Sequence, residues 1–192
     1  LATAGIGHFL IFVEAIPGAI IDLPEKAKKL CIELSFVRSF NELAAQFGEK
    51  KKLFVLAQST LLENEFLHGY LQEGQVGILT IDARKENQAY ETIDLHRKWA
   101  GVSIYDASLL QNVEEIPSDW DMQSALLRRA VQAGVSMLEL PQAVIAENKI
   151  GLIQNHAALG AISKTHFANE VAGESGFIER SIFGPAIAAL LN

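Results

Sequence analysis

The sequence predicts an α/β domain with a mainly parallel central sheet, on three observations. Strand-like apolar runs alternate with helix-like segments along the chain. Hydrophobic residues make up 49% of the 192, enough for a sizeable core at a length usual for one domain. No internal repeat, low-complexity tract or Gly/Ser/Pro-rich linker interrupts the pattern, so nothing marks a boundary between folded units.

Taken in order, the predicted strands are Phe9–Val13, Lys29–Leu34, Leu53–Ala57, Val76–Ile81, Gly101–Tyr105 and Ser136–Leu140, each with β-type composition. Three helices between them have explicit ends. In the first, Ser39 with Glu42 fits a capping box, Leu43, Ala44 and Phe47 form the apolar stripe, and Gly48 follows as a stop. The second spans Leu61 to Leu71, with Leu62, Phe66, Leu67, Tyr70 and Leu71 on one side and Glu63, Asn64, Glu65 and His68 on the other; Gly74 ends it. The third starts at a capping box of Ser118 and Asp121, turns Met122, Ala125, Leu126, Ala130 and Val131 inward and Arg128 and Arg129 outward, and closes at Gly134. From Gly173 the character changes: Gly-Glu-Ser-Gly leads into Phe177–Pro185 and the apolar Ala186–Leu191, an amphipathic tail that needs something to pack on. The expected organisation is therefore an α/β domain over residues 1–172 and a tail over 173–192.

Charge and cysteine content narrow the function classes. Sixteen basic against twenty-three acidic residues give a net charge of −7, so the chain lacks the positive field that phosphate backbones require, and no nucleic-acid partner is expected. Cys31 has no second cysteine to pair with, and its apolar run Leu30-Cys31-Ile32 predicts a buried structural thiol. The run Phe9–Val13 is far short of the roughly 18 residues of a membrane span, and no basic residue precedes Lys26 as a secretory signal would require. A cytoplasmic location is expected. The chain starts at Leu1 rather than Met, so it is expected to be part of a longer protein.

The stretch from Lys52 to Leu71 holds Val55-Leu56-Ala57-Gln58-Ser59-Thr60 before a helical pattern. Further on come Trp99-Ala100-Gly101-Val102-Ser103-Ile104-Tyr105 with Ser108-Leu109-Leu110, then Asp119-Trp120-Asp121 to Leu127 and Gln132-Ala133-Gly134-Val135. In this order, over roughly residues 52 to 141, these segments resemble the sugar-phosphate nucleotidyltransferases, whose strand reads V-L-x-G-D-T before a helix. The resemblance implies a nucleotidyltransferase-like, Rossmann-like three-layer sandwich. It also implies a divalent cation held by carboxylates against a triphosphate, and here the departures matter. The family's first aspartate aligns with Ser59, whose neutral hydroxyl cannot supply the needed charge. The second is expected after Val144, yet residues 148–169 contain no Asp or Glu. The phosphate-cradling glycine turn should follow the first strand, whereas Ala4-Gly5-Ile6-Gly7 precedes Phe9–Val13. No catalytic residue and no metal ligand is assigned, and the cofactor-binding positions stay open.

In the tail, Ser175-Gly176-Phe177-Ile178-Glu179-Arg180 with Pro185 resembles the S-G-x-x-x-R…P segment that precedes the membrane domain of CDP-alcohol phosphatidyltransferases. Their D-x-x-D-G-x-x-A-R signature does not occur in the chain. The resemblances together imply a catalytically silent nucleotidyltransferase-like domain at the inner face of the membrane, fused to a phospholipid-synthesis enzyme. Mg²⁺ and CTP or a CDP-alcohol are expected only if the parent enzyme is active. The expected partner is the membrane domain of the same chain, or a second copy through Phe177–Leu191. A small-molecule ligand stays open. Two alternatives also stay open: an active sugar- or inositol-phosphate nucleotidyltransferase or glycosyltransferase that recruits Asp82, Glu86 or Asp121 to its metal, and a protein-interaction module.

Other candidate groups read as structural. Asp119 and Asp121 lie at a helix start, where acids cap exposed amides. Asp94, His96 and Trp99 lack a second His or a Cys nearby for a metal site. His156 and His166, ten apart, would lie about 80° around and roughly 15 Å along a helix, too far to share a metal. Lys50-Lys51-Lys52 reads as a solvated turn, and Ser59 has no G-x-S-x-G elbow around it.

Overall fold

In the computed structural model the described residues are 6–46, 52–73, 75–111, 121–147 and 149–152. The chain divides into two compact units, one containing Leu1–Ser39 and the other Phe40–Ile153, and each is described by itself. Gly48, Lys50, Lys51, Ser118, Asp119, His156, His166 and the tail 173–192 lie outside the described residues, as does most of the acid-free stretch 148–169.

The first unit is a βαβ element. Strand β1 (His8–Phe12) pairs in parallel with β2 (Glu33–Val37), placing His8 beside Glu33 and Phe12 beside Val37. Helix α1 (Leu23–Lys29) connects them and lies against β2. Pro24 suits its first turn, where a missing N–H costs nothing, and Leu23 and Ala27, one turn apart, are buried. Ile20, Leu23, Ala27 and Leu34 form the core, with Phe9, Ile11, Val13, Ile32 and Phe36 packed around it.

The predicted strand Lys29–Leu34 is corrected here: Lys29 closes α1, and Leu30-Cys31-Ile32 is the helix cap. The Cys31 N–H donates to the Lys28 carbonyl at 3.0 Å and the Ile32 N–H to the Ala27 carbonyl at 3.0 Å. That is the Schellman pattern, which puts the residue after the cap in the left-handed region; Cys31 takes it at φ 59 and is exposed, not buried.

The second unit is built on a four-stranded sheet in the order β3 (Lys52–Leu56), β6 (Arg97–Asp106), β5 (Gly77–Asp82), β7 (Met137–Glu139). Its pairing is mixed: β6 runs antiparallel to both β3 and β5, and β5 parallel to β7. Strands β3 and β5 are thus parallel to each other, with β6 inserted between them. The reason lies in residues 83–96, which carry a short 3-10 turn at Lys85–Asn87 and no helix. Without a crossover helix the chain returns antiparallel.

Helix α2 (Phe40–Ala45) opens the unit and lies against the 3-10 turn Ala107–Leu110. Its start places Ser39 at the N-cap and Glu42 three residues on. The helix predicted from Leu61 begins later. Thr60–Leu62 form strand β4, which pairs antiparallel with β8 (Ile150–Leu152), and α3 runs over Asn64–Glu73. Helix α4 (Met122–Gln132) starts at Asp121 itself, and α5 (Gln142–Ala146) joins β7 to β8. Gly134 closes α4 as predicted, at φ 72, through the same pair of cap bonds as in α1: Gly134 N–H to Val131 at 3.1 Å and Val135 N–H to Ala130 at 3.0 Å.

Both central strands are buried along nearly their whole length. Leu79, Ile81, Ala100, Val102 and Ile104 share one face with Tyr70, Tyr90 and Ile150. Among the described residues no helix is long and apolar enough to cross a membrane.

Candidate functional site

At the end of β3, Ser59 stands at the position the resemblance gives to a metal-binding aspartate. The Ala57 N–H continues the ladder to the Gly101 carbonyl at 2.8 Å, and the Thr60 N–H turns back to the Ala57 carbonyl at 3.1 Å. The turn forces Ser59 to φ 63, a conformation non-glycine residues rarely adopt. The chain then enters β4, and the Glu63 N–H reaches the Lys149 carbonyl at 2.9 Å.

The facing strand is shaped to receive this turn. Between Ile78–Ser103 and Thr80–Trp99 the β5/β6 register shifts, so that β6 advances four residues against two on β5. Gly101 lies in this bulge at φ 85. A Cβ there would collide with Thr60 Oγ1 and stand 3.1 Å and 3.2 Å from Thr60 Cγ2 and Cβ. Glycine is what lets Thr60 close on β6. The Thr60 hydroxyl is buried against it without a hydrogen-bond partner.

On the outer side, the Gln58 N–H donates to Gln123 Oε1 of α4 at 3.1 Å. Asp121 caps that helix by accepting from the Ser124 N–H at 2.8 Å, its side-chain oxygen satisfying an otherwise orphaned amide. Asp121, Ser124, Ala125 and Arg128 line a shallow hollow of about 350 Å³. The turn's own side chains are therefore one neutral amide and two hydroxyls, and the nearby Asp121 carboxylate is used as a cap. Gln58, Ser59 and Thr60 bring no carboxylate to a divalent cation, which proteins hold through at least one or two charged carboxylate oxygens. Among the described residues no group of three His, Cys, Asp or Glu side chains is placed to hold a metal.

Of the other candidates, Asp82 and Asp94 are held by local partners. Asp82 pairs with Arg84 at 2.6 Å and accepts from Asn87 Nδ2 at 3.3 Å, and Glu86 is exposed. Asp94 accepts from the His96 and Arg97 amides at 2.8 Å and 2.9 Å and from Arg97 Nε at 2.9 Å. The Arg97 side chain above all, then the His96 amide, holds the Asp94 carboxyl below its usual range. His96 points to solvent, while Trp99 turns into the core and donates to the Val102 carbonyl at 3.1 Å and Ser103 Oγ at 2.8 Å. The three do not converge.

Two arrangements were not legible beforehand. Lys98 is 8% exposed, and its ammonium donates to the Gln88 and Tyr90 carbonyls at 3.3 Å and 3.0 Å and to Thr92 Oγ1 at 3.1 Å. It fastens the β5–β6 connection to β6. On the first unit, His8 Nε2 lies 3.0 Å from Ser35 Oγ, and its Nδ1 is 4.0 Å from the Glu33 carboxylate. Strand alternation alone brings Glu33 and Ser35 to one face, but the partner strand has to be known.

No protein-family model matches the chain, and no curated protein is significantly similar to it.

Proposed function

We propose that this chain is a catalytically silent nucleotidyltransferase-like domain, the cytosolic N-terminal part of a CDP-alcohol phosphatidyltransferase-type phospholipid-synthesis protein, and that it acts in assembly or regulation at the inner face of the membrane. In this reading the mixed four-stranded sheet belongs to a nucleotidyltransferase-like three-layer sandwich. The observation that carries it is the end of β3. In this reading Ser59 stands where the family has its first aspartate, and the turn around it serves packing: the Gln58 N–H donates to Gln123 Oε1, and Thr60 closes on Gly101. Such a turn can anchor β4 and α4 to the sheet, and it supplies no negative charge to draw a metal–triphosphate complex in. Mg²⁺ and a CDP-alcohol would then belong to the parent enzyme's own catalytic part.

Calorimetric titration with nucleoside triphosphates, with and without Mg²⁺, tests this. Heats indistinguishable from dilution are expected. Micromolar, metal-dependent binding would favour instead an active transferase using Asp82, Glu86 or Asp121.

A further inference from the structure

In the first unit, the face of β1 and β2 turned away from α1 carries three side chains of complementary chemistry. Phe9, Ile11, Leu34 and Phe36 pack with the α1 core, so strand alternation leaves His8, Leu10 and Phe12 of β1 and Glu33, Ser35 and Val37 of β2 on the opposite face. There His8 Nε2 lies 3.0 Å from Ser35 Oγ, across 27 residues of sequence, and His8 Nδ1 lies 4.0 Å from Glu33 Oε1. Each ring nitrogen has its own partner. With the ring proton on Nδ1, toward the carboxylate, Nε2 is the bare nitrogen and accepts the Ser35 hydroxyl. A hydroxyl within hydrogen-bond reach of a base that a third group orients is the arrangement that activates serine as a nucleophile. His8 and Ser35 are half-buried and Glu33 is exposed, so an electrophile can reach the hydroxyl. Leu10, half-buried, stands opposite Ser35 in the register and offers apolar surface beside it.

We propose that Ser35 is an activated nucleophile that takes an acyl group from a carboxylic ester, with His8 as its general base and Glu33 as the residue that positions His8. Ser35 Oγ forms a bond to the ester carbonyl carbon as its proton passes to His8 Nε2. The bond from that carbon to the leaving oxygen then breaks, and His8 gives the proton to the leaving group. Water releases the acyl group by the same route: its oxygen bonds to the carbonyl carbon, its proton goes to His8 Nε2, and that proton passes to Ser35 Oγ as the bond from Oγ to the carbon breaks. Leu10 beside the hydroxyl favours a short apolar acyl chain over a charged one. The proposal is independent of the nucleotide reading, because the three residues belong to the unit containing Leu1–Ser39 and the turn after β3 belongs to Phe40–Ile153.

The test is incubation of the chain with p-nitrophenyl butyrate, in a Cys31→Ala background that removes the exposed thiol, reading p-nitrophenolate release and locating the butyryl group by peptide mass spectrometry. A butyryl group on Ser35 is expected, and Ser35→Ala should abolish that adduct. General-base assistance is worth about 10²–10⁴-fold, so His8→Gln should slow acylation by about a hundredfold or more with circular dichroism unchanged. Added imidazole should restore part of the rate to His8→Ala. In the parent the rate should fall on acidification along a single ionisation, because a protonated His8 cannot accept the hydroxyl proton. Glu33→Gln should slow acylation several-fold, and Glu33→Asp should recover part of that loss. An unlabelled Ser35, label confined to lysines, or Ser35 acylated as fast in His8→Gln or in the urea-unfolded chain overturns the proposal.

Discussion

Replacing Gly101 by alanine strikes the contact that seats the turn after β3. Its φ of 85 costs an L-residue about 1–2 kcal/mol, and the new methyl collides with Thr60, a buried residue on a paired strand. Relieving such overpacking costs a further ~1–3 kcal/mol, so a total near 3 kcal/mol is expected. Thr60→Ala alone should be close to neutral: it deletes a methyl worth about 1 kcal/mol together with a hydroxyl buried without a partner. In the double variant the backbone cost remains with only the tight 3.2 Å approach to the Cβ of residue 60, giving a favourable interaction of about 1 kcal/mol between the two sites. Urea unfolding followed by tryptophan fluorescence is suited to this, because buried Trp99 sits two residues from Gly101 on β6. A G101A chain within about 0.5 kcal/mol of the parent, or strictly additive changes, would refute the described seating of the turn.

The two helix caps make a matched pair: Cys31→Gly should stabilise by about 0.5–1 kcal/mol and Gly134→Ala destabilise by about 1 kcal/mol, both read by denaturant midpoints with unchanged slope. Lys98→Met should cost about 2–4 kcal/mol by leaving the Gln88 and Tyr90 carbonyls and Thr92 Oγ1 unpaired, with faster amide exchange across 88–92. Burial raises all three phenols, Tyr70 and Tyr90 upward and Tyr105 to about 12. A raised folded pKa means stability that is fully present below the unfolded value near 10 and is lost as pH climbs toward 12. The phenolate absorbance of the native chain should therefore lag behind that of the urea-unfolded chain above pH 10, and native phenols titrating like unfolded ones would contradict the burial.

Much of the fold is legible in the sequence because apolar β-rich runs survive in any context: Leu53–Ala57, Val76–Ile81 and Gly101–Tyr105 fall on β3, β5 and β6 to within a few residues. Less legible is anything decided by a distant partner. Leu61 and Leu62 satisfy helical and extended patterns equally, and only pairing with β8 makes them a strand. The strand read through Lys29–Leu34 failed because an apolar helix cap and an apolar strand start look alike. Lys98 reads as surface, since nothing local announces the three oxygens that surround it. At the site, the identities Gln58-Ser59-Thr60 are plain from the sequence. Their use in packing is not, because Gln123 lies 65 residues away and Thr60 meets Gly101 only across a bulge. A lone glycine inside a strand was the available signal for that bulge.

The most direct test of the proposal that the end of β3 binds no metal–nucleotide complex is a backbone-amide NMR titration with Mn²⁺ and CTP, in which the paramagnetic ion broadens any amide near its seat. The amides of Gln58, Ser59, Thr60 and Gly101 should keep their intensity and position. Selective, saturable broadening of those four, reversed by excess Mg²⁺, would contradict the silent-domain reading at its root.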